Sequence, residues 1–461
     1  MTQRQLLQTA AALAADYLDS LPTRGVAPST DALEGLRAFE RPFPEQPSDP
    51  VAVLRELHAR GSPATIASAG GRFFGFVVGG SLPAALAATW LAAAWDQDAG
   101  MTVLAPGAAA IEVVALRWLL DALKLPPEAG GGFVTGATLA NFTGLAAARH
   151  ALLERAGWDV EANGLFGAPA LSVVVGDEVH VSVVKALGLL GLGRTRVVRV
   201  PADAQGRMRA DRLPPLDART IVCVQAGNVN TGACDPVGDV CRAAHAAGAW
   251  VHVDGAFGLW ARAAPARAPL VAGVQDADSW ALDAHKWLNV PYDSGVALCR
   301  DASALRSAMA AEAAYLVRGT AREPDDYTPE LSRRARGVEI WAALASLGRA
   351  GLTDLVERCC RHAARFAAGL TAAGYEVLNE VTLNQVLVSF GDDAATRRVI
   401  DGIQAERTCW CGGTEWHGRV AMRISVSSWA TTEDDVEHSL EAMLRVARST
   451  PRLTARPGGQ A

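Results

Sequence analysis

The chain has 461 residues, of which half are hydrophobic and a fifth are charged, and its formal net charge is −6 at pH 7. This balance excludes wholesale disorder, and the weak negative charge gives no reason to expect a nucleic acid or an anionic membrane as a partner. No apolar run reaches the roughly 18 residues that a membrane span needs, and the N-terminal residues lack the charge order of a secretory signal. We therefore expect a cytoplasmic protein with a sizeable core.

Helical patterns dominate the N-terminal part of the chain. Residues 1–50 predict a helix in an N-terminal arm followed by a proline-rich connection, and a second helix is expected over 49–60. The alanine-rich stretch 83–99 predicts a buried helix, and apolar residues at helical spacing predict another over 108–123.

Short β-branched runs alternate with helical stretches between residues 130 and 300. The runs predict strands over 171–175, 195–200, 220–225, 249–254, 279–282 and 295–299. Such alternation is typical of a mostly parallel sheet that helices cover on both faces. Ligands of these sheets bind outside the carboxyl ends of the strands.

The C-terminal part begins with a long predicted helix over 336–349, after which the order helix, strand, strand, helix predicts a small α+β domain. We therefore expect four segments: an N-terminal helical arm over 1–82, a large domain over 83–350, a small α+β domain over 351–450 and a disordered tail over 451–461.

The eight cysteines are too sparse for a disulfide scaffold in so long a chain. Cys359 and Cys360 are adjacent, and Cys409 and Cys411 form a C-x-C pair without a second pair at the spacing of a zinc site. We expect reduced, mostly buried thiols and no metal site.

Lysine is rare in this chain, because only Lys124, Lys185 and Lys286 among the 43 basic residues are lysines. Arginine stays protonated, whereas a lysine can lose its proton and attack a carbonyl group. A lysine in such a composition is a candidate for a position that needs an amine, although chance also explains the count.

Two stretches carry polar residues beside apolar elements. Glycines and hydroxyl groups in 130–143 precede an apolar helix predicted over 145–155, a pattern that favours phosphate binding, although a glycine-rich turn with a threonine cap also explains it. Asp254 ends an apolar strand, and His252 lies on the same strand face. A metal site and a satisfied strand-end acid with a core histidine both fit this second stretch.

Lys286 follows the next apolar run, between His285 and Trp287. Burial there is expected to lower the pKa of the lysine and to make the free amine available. A phosphate-binding turn, a strand-end acid and a lysine after the next strand together match the needs of pyridoxal phosphate. The turn holds the phosphate, the lysine forms the Schiff base, and the acid keeps the pyridine nitrogen protonated.

The chain resembles the group II pyridoxal-phosphate-dependent decarboxylases, the family of aromatic amino acid, glutamate and diaminobutyrate decarboxylases. The resemblance runs from about Arg72 to about Ala447 and is carried by the ordered motifs FVTGATLAN, HVSVVKA, HVDGAFG and DAHKWL. It implies an α/β fold of the fold-type I, aspartate aminotransferase-like class. That class has a seven-stranded, mostly parallel sheet in a large cofactor-binding domain, a small α+β C-terminal domain, and a homodimer with active sites at the interface.

The resemblance implies catalytic roles for Lys286, Asp254 and His180. Lys286 bonds the cofactor, Asp254 pairs with the pyridinium nitrogen, and His180 stacks on the ring and donates or relays protons. The cofactor-binding residues that it implies are Ala137, Thr138, His180, Asn228, Asp254, Ala256, His285 and Lys286. Asp283 falls where relatives carry Asn or Ser toward the phosphate. Because an inward-pointing acid would repel phosphate, we expect Asp283 to face another donor.

The family's loop tyrosine has no counterpart here. Animal-type relatives use a tyrosine on a mobile loop to protonate the substrate carbon, whereas the matching position lies near Pro324 in a shorter loop. Tyr327 and Tyr315 are the nearby phenols, so the proton donor is unassigned.

The candidate substrate-binding residues are Phe76, Trp95, Tyr327 and Arg423. Core packing also explains Phe76 and Trp95, and a structural ion pair also explains Arg423, whose guanidinium group matches a carboxylate. Trp410 and Trp416 lie in a glycine-rich polar stretch, where we expect exposed rings that contact a partner.

Decarboxylation of an L-amino acid, releasing carbon dioxide and an amine, is the function that the resemblance implies. The small-molecule partner would be the amino acid. The alternatives are another reaction of the same cofactor, namely transamination, C–C or C–S lysis or decarboxylative aldehyde synthesis, and a non-catalytic binding protein with the same fold. The intact set of Lys286, Asp254 and His180 argues against a binding protein.

Overall fold

The computed structural model describes residues 1–311 and 322–450. The described residues divide into two units, each with its own internal contacts. The large unit contains the described part of Gly79–Ala364 together with Asn379–Gln385. The small unit contains Met1–Val78, Arg365–Leu378 and the described residues from Val386 onward. Each of these units combines separate parts of the chain. The four segments expected from the sequence follow chain order instead, and that division stays a prediction.

The secondary structure agrees with most of the predicted elements. The helices are α1 (Gln3–Ser20), α2 (Thr30–Glu34), α3 (Pro50–Glu56), α4 (Pro83–Trp95), α5 (Pro106–Ala122), α6 (Ala137–Arg155), α7 (Val160–Asn163), α8 (Val181–Leu189), α9 (Val237–Ala246), α10 (Ala302–Met309), α11 (Arg336–Ala372, interrupted at Gly348), α12 (Asp393–Glu406) and α13 (Glu433–Ser449). The strands are β1 (Gly130–Val134), β2 (Ser172–Gly176), β3 (Val198–Val200), β4 (Thr220–Gln225), β5 (Trp250–Asp254), β6 (Ser279–Asp283), β7 (Gly295–Cys299), β8 (Glu376–Val377), β9 (Gln385–Ser389), β10 (Gly412–Trp416) and β11 (Arg419–Ser425).

The large unit contains a seven-stranded sheet in the order β1-β7-β6-β5-β4-β2-β3. The pairs β2–β3, β2–β4, β4–β5 and β5–β6 are parallel, and β7 runs antiparallel to both β1 and β6. Two reversals restore the direction, so β1 and β6 run the same way. The predicted mostly parallel sheet is confirmed, and the carboxyl ends of β1, β5 and β6 lie at one edge.

The glycine-rich stretch 130–143 folds as β1, a turn and the first residues of α6, so the helix begins earlier than the sequence predicted. A Cβ added to Gly131 would lie 2.6 Å from Leu298 Cδ2, and one added to Gly144 would lie 2.8 Å from His252 Cε1. Close packing therefore selects glycine on both elements, and β1 gives no β-branched signal.

A hydrophobic cluster between the sheet and its covering helices forms a main core of the large unit. It includes the buried side chains of Leu145, Leu152, Val173, Val175, Leu187 and Ile221. Each such side chain contributes about 1.5–3 kcal/mol when it leaves water, so this cluster fixes α6 and α8 on the sheet.

A second sheet has four strands in the order β10-β11-β9-β8, with antiparallel pairs at both ends. The expectation of exposed tryptophans in this part of the chain is wrong. Trp416 ends β10 and is buried, and the ring of Trp410 stacks on Phe73 with centroids 5.0 Å apart. Both indoles serve packing inside the small unit.

All eight cysteines are free thiols, and all except the half-buried Cys234 are buried, which confirms the predicted thiol state. Burial raises the pKa of Cys223 and of Cys359 to about 12. Among the described helices, none is both long and apolar enough to cross a membrane.

Candidate active site

Three chain segments supply polar residues at the carboxyl edge of the seven-stranded sheet. Asp254 is the last residue of β5, Asp283 is the last residue of β6, and Ala137 opens α6 after β1. Ala256 links the two acids, because its N–H donates to Asp254 Oδ1 at 3.2 Å and its carbonyl accepts the Asp283 N–H at 2.9 Å. The backbone of Ala256 therefore fixes the position of Asp254 relative to Asp283.

Lys286 lies three residues beyond β6, in a turn that packs against the chain at Gly79. Its Nζ lies 2.9 Å from Asp283 Oδ2, and its side chain is 18 % exposed. A Cβ on Gly79 would lie 1.9 Å from the Lys286 carbonyl oxygen, so this close approach requires glycine. Asn289 holds the same turn, because its Oδ1 accepts the Gly80 N–H at 2.6 Å.

Asp283 is buried, and its side chain contacts three of the predicted cofactor residues. Its Oδ1 accepts the Ala137 N–H at 2.5 Å and lies 3.4 Å from His285 Nε2, while Oδ2 pairs with Lys286. The acid thus faces donors, as the sequence predicted. One of these donors, however, is the N–H that the family resemblance assigns to the phosphate.

His285 is a neutral imidazole with a defined proton position. Burial lowers its pKa, and its Nδ1 accepts the Ser294 N–H at 3.3 Å, so Nε2 carries the proton and faces Asp283. Tyr292 stacks on the ring with centroids 4.2 Å apart and planes 25° apart. Partial burial and the negative charge of Asp283 raise the pKa of Tyr292 to about 12. The phenol beside the site therefore keeps its proton at neutral pH.

Asp254 is oriented by several polar groups. Its Oδ2 accepts from Asn141 Nδ2 at 3.1 Å and lies 3.2 Å from Ser182 Oγ. The Ser182 hydroxyl also lies 2.7 Å from His180 Nδ1, so it contacts both predicted catalytic residues. His180 is the N-cap of α8, and its Nδ1 accepts the Ser182 N–H at 3.3 Å.

A buried hydrogen-bond chain continues from Asn141 into the core. His252 Nε2 lies 2.8 Å from Asn141 Oδ1, and its Nδ1 lies 2.8 Å from Ser279 Oγ. Burial lowers the pKa of His252 to about 4, so the ring is neutral. Trp250 donates its indole N–H to Ser279 Oγ at 2.9 Å. Because the Asp254 carboxylate only accepts, Asn141 turns Nδ2 to Asp254 and Oδ1 to His252, so Nε2 carries the proton and Nδ1 accepts from the Ser279 hydroxyl. His252 is thus a satisfied core histidine.

Asn228 and Ser294 contribute buried polar atoms that lack a partner. The Oδ1 of Asn228 accepts the N–H groups of Asn230 and Thr231 at 2.8 and 3.2 Å, which shapes the loop after β4. Asn228 Nδ2 and Ser294 Oγ are buried without a hydrogen-bond partner in the described part of the chain. Native proteins rarely leave such atoms unsatisfied, so both atoms fit a polar ligand.

The arrangement fits pyridoxal phosphate in most respects. Gly136 leaves room between α6 and the Lys286 turn, since an added Cβ would lie 3.1 Å from His285 Cε1 and 3.2 Å from Asp283 Oδ1. The Lys286 amine and the Asp254 carboxylate suit the pyridine ring of the cofactor. The unpartnered polar atoms of Asn228 and Ser294 suit it as well. Thr138 is half-buried as the second residue of α6, beside Ala137.

Two of the candidate substrate residues belong to the large unit. Tyr327 packs against the hydrophobic cluster of this unit, with the Arg322 guanidinium 4.3 Å from its ring centroid. Trp95 ends α4 and is 45 % exposed.

The other two candidates belong to the small unit. Phe76 is 65 % exposed and stacks on Trp410 with centroids 5.4 Å apart. Arg423 lies partly buried on β11, and burial lowers its pKa to about 10. Neither Phe76 nor Trp95 is a core residue, and the substrate roles of all four candidates stay predictions.

Sequence reasoning missed several residues of this site, among them Asn141, Ser182 and Tyr292. Asn141 and Ser182 lie within quoted motifs, but their contacts depend on which side chains the sheet brings to them. Tyr292 follows a proline in a loop and carries no sequence signal of its own.

Comparison with known proteins agrees with the fold. The profile of the pyridoxal-dependent decarboxylase conserved domain matches residues 34–391. The chain is 26 % identical to an aromatic-L-amino-acid decarboxylase from Bacillus atrophaeus, over 96 % of this chain and 94 % of the relative. It is 30 % identical to an L-2,4-diaminobutyrate decarboxylase from Rhizobium meliloti, over 81 % of this chain and 77 % of the relative.

The fold is similar to that in the crystal structure of Oryza sativa TDC with PLP and tryptamine, with a TM-score of 0.89 and 24 % identity. That similarity covers 96 % of this chain and 97 % of the other. The family includes aldehyde synthases as well as decarboxylases. With the profile covering most of its length, the chain belongs to the group II decarboxylases, an enzyme family whose cofactor is pyridoxal 5′-phosphate.

Proposed function

We propose that this enzyme removes the carboxyl group of an L-amino acid as carbon dioxide and releases the amine, with Lys286 as the residue that bonds the cofactor. The observation that supports this proposal is the placement of Lys286 and Asp254 after adjacent strands, joined through Asp283 and Ala256. When bound, pyridoxal phosphate supplies the electron sink for the electron pair left on the substrate carbon.

The residues of the site divide the proton chemistry among them. Lys286 must lose a proton before its amine attacks an aldehyde, and Asp283 Oδ2 lies 2.9 Å from that amine as an acceptor. Asp254 would hold the proton on the pyridine nitrogen, with its carboxylate oriented by Asn141 and Ala256. His180 would cover one face of the ring.

We assign the protonation of the substrate carbon to His180. The ring of Tyr327 is packed with Arg322 and the core cluster, which does not favour it as the donor. Tyr315, the other phenol considered from the sequence, lies outside the described residues and is the alternative donor.

We further propose a homodimer. Helix α4 exposes Trp90, Leu91 and Trp95 to 46 %, 57 % and 45 %, and a patch of large apolar side chains on one helix is typical of an interface. Light scattering of the purified protein tests this proposal. A mass near twice 48.2 kDa supports it, and a mass near 48.2 kDa contradicts it.

A product screen by mass spectrometry tests the reaction. The protein with pyridoxal phosphate is incubated with a panel of aromatic, acidic and basic L-amino acids. An amine lighter than its amino acid by one carbon dioxide supports the proposal and names the substrate class. A keto acid, an aldehyde or a cleaved fragment would move the enzyme to another reaction of the same cofactor, and no turnover of any amino acid would favour a binding protein.

A further inference from the structure

Helix α6 starts with a backbone donor that is already bound to a carboxylate. The first N–H groups of a helix have no partner within the helix and carry partial positive charge, which favours an anion. The N–H of Ala137, the first residue of α6, donates to Asp283 Oδ1 at 2.5 Å. The Asp283 side chain is only 3 % exposed, so the protein places its own buried anion at this helix start.

The groups that face Asp283 balance a single negative charge. Lys286 Nζ is 2.9 Å away, and it is the cation in contact with Asp283 among the described residues. His285 is neutral because burial lowers its pKa, and Tyr292 is neutral because its pKa is raised to about 12. Asp293 adds a more distant negative charge that acts on His285. One lysine therefore compensates one buried carboxylate, and a phosphate beside them adds uncompensated negative charge.

We propose that Asp283 is an internal competitor of the cofactor's phosphate group for the Ala137 N–H. The carboxylate lowers the affinity for the phosphorylated cofactor, while it keeps Lys286 paired in the cofactor-free protein. This inference rests on the proposed function, because that function makes Ala137 a phosphate ligand. An asparagine at position 283 keeps the shape of the side chain, removes the charge and adds an N–H donor, so it should favour phosphate.

Two vitamers that differ in their phosphate group isolate its contribution to the binding affinity. Pyridoxine 5′-phosphate and pyridoxine both lack the aldehyde, so bond formation with Lys286 does not enter, and they differ only in the phosphate. Titration calorimetry at one pH above 7 should show that Asp283→Asn binds pyridoxine 5′-phosphate at least tenfold more tightly than the wild type. The affinity for pyridoxine should stay within about twofold, because only the phosphate faces the changed charge.

Asp293→Asn is the matched control. It removes an equal charge near the same turn, but Asp293 is 44 % exposed and bonds Arg334 and Arg336 instead of Ala137. Its ratio of affinities for the two vitamers should stay within about twofold of the wild type. If Asp283→Asn and Asp293→Asn gained equal affinity for pyridoxine 5′-phosphate, the effect would be a general one of charge, and the proposal would be overturned.

An unchanged or weaker affinity of Asp283→Asn for pyridoxine 5′-phosphate, or an equal gain for both vitamers, also overturns it. If Asp283→Asn does not fold, Asp283→Ser removes the same charge with a smaller polar side chain and gives the same comparison. Mixing wild-type protein with pyridoxal phosphate separates the two proposals. A missing visible absorption band contradicts the proposed function itself, whereas a normal band with an unchanged vitamer ratio contradicts only the role of Asp283.

Discussion

His252 Nε2 lies 2.8 Å from Asn141 Oδ1, so a histidine inside the core orients the amide that faces the active-site acid. With Oδ1 committed to His252, the amide presents Nδ2 to Asp254 at 3.1 Å. A reversed amide would place its oxygen against the carboxylate, where no proton separates them. The Nε2 proton of His252 therefore supports the geometry of Asp254 from two residues away along β5.

Acid should weaken the fold through His252. The pKa of this histidine is about 4 in the folded protein and about 6.5 when unfolded, so the unfolded chain binds more protons between these values. The contribution is complete above pH 6.5 and is lost as the pH falls toward 4. Between pH 7.5 and pH 5, the wild type should lose about 2 kcal/mol more than His252→Gln. Urea unfolding at both pH values measures this difference, and equal losses would contradict a buried neutral His252.

Removing the charge of Asp254 should separate cofactor binding from turnover. In Asp254→Asn, kcat should fall by about 100-fold or more, the magnitude typical of one preorganised electrostatic contact, because the pyridine nitrogen loses its partner. The visible band of the bound cofactor should persist. Asn141→Ala should lower kcat by a smaller factor, since it only disorients the acid. Unchanged turnover in Asp254→Asn would remove Asp254 from the mechanism.

The visible colour with pyridoxal phosphate should depend on one lysine. Lys286→Ala should abolish the absorption band that the wild type acquires on mixing. Lys185→Ala is the control, because this lysine is exposed on α8 and should leave the band unchanged. Absorption spectra of both variants at equal concentration decide the matter, and a band that survives Lys286→Ala would assign the bond to another amine.

A methyl group at Gly79 should disturb the Lys286 turn. A Cβ there lies 1.9 Å from the Lys286 carbonyl oxygen, so Gly79→Ala should destabilise the protein by about 1–3 kcal/mol and weaken cofactor binding. At Gly107, in α5, an added Cβ meets nothing within 4 Å. Gly107→Ala should therefore be neutral or stabilising by up to about 1 kcal/mol. Thermal melts with and without cofactor compare the two, and similar behaviour would contradict the close approach.

The stacked ring of Tyr292 should matter more than its hydroxyl. Tyr292→Phe keeps the contact with His285, whereas Tyr292→Ala removes a ring pair worth about 0.5–1.5 kcal/mol. Because the pKa of the Tyr292 phenol is raised to about 12, the rate profile of Tyr292→Phe below pH 9 should follow the wild type. A large rate loss in Tyr292→Phe, measured from steady-state kinetics, would give the hydroxyl a chemical role.

The sequence reveals those features that carry a local signal. Strands such as β4 and β5 are rich in β-branched residues, Lys286 stands out because lysine is rare, and Asp254 stands out as an acid at the end of an apolar strand. The strand β1 has no such signal, because three glycines are selected by close packing. Asn141 and the inward position of Asp283 follow from contacts between distant segments, which periodicity and spacing do not encode.

The buried cysteine thiols provide intrinsic probes of local unfolding. Thiol reagents attack the thiolate, and burial shields the sulfur atoms from the reagent. Cys223 in the large unit and Cys409 in the small unit are each at most 3 % exposed. Their labelling rates under native conditions therefore measure how often each unit unfolds locally, without any introduced probe.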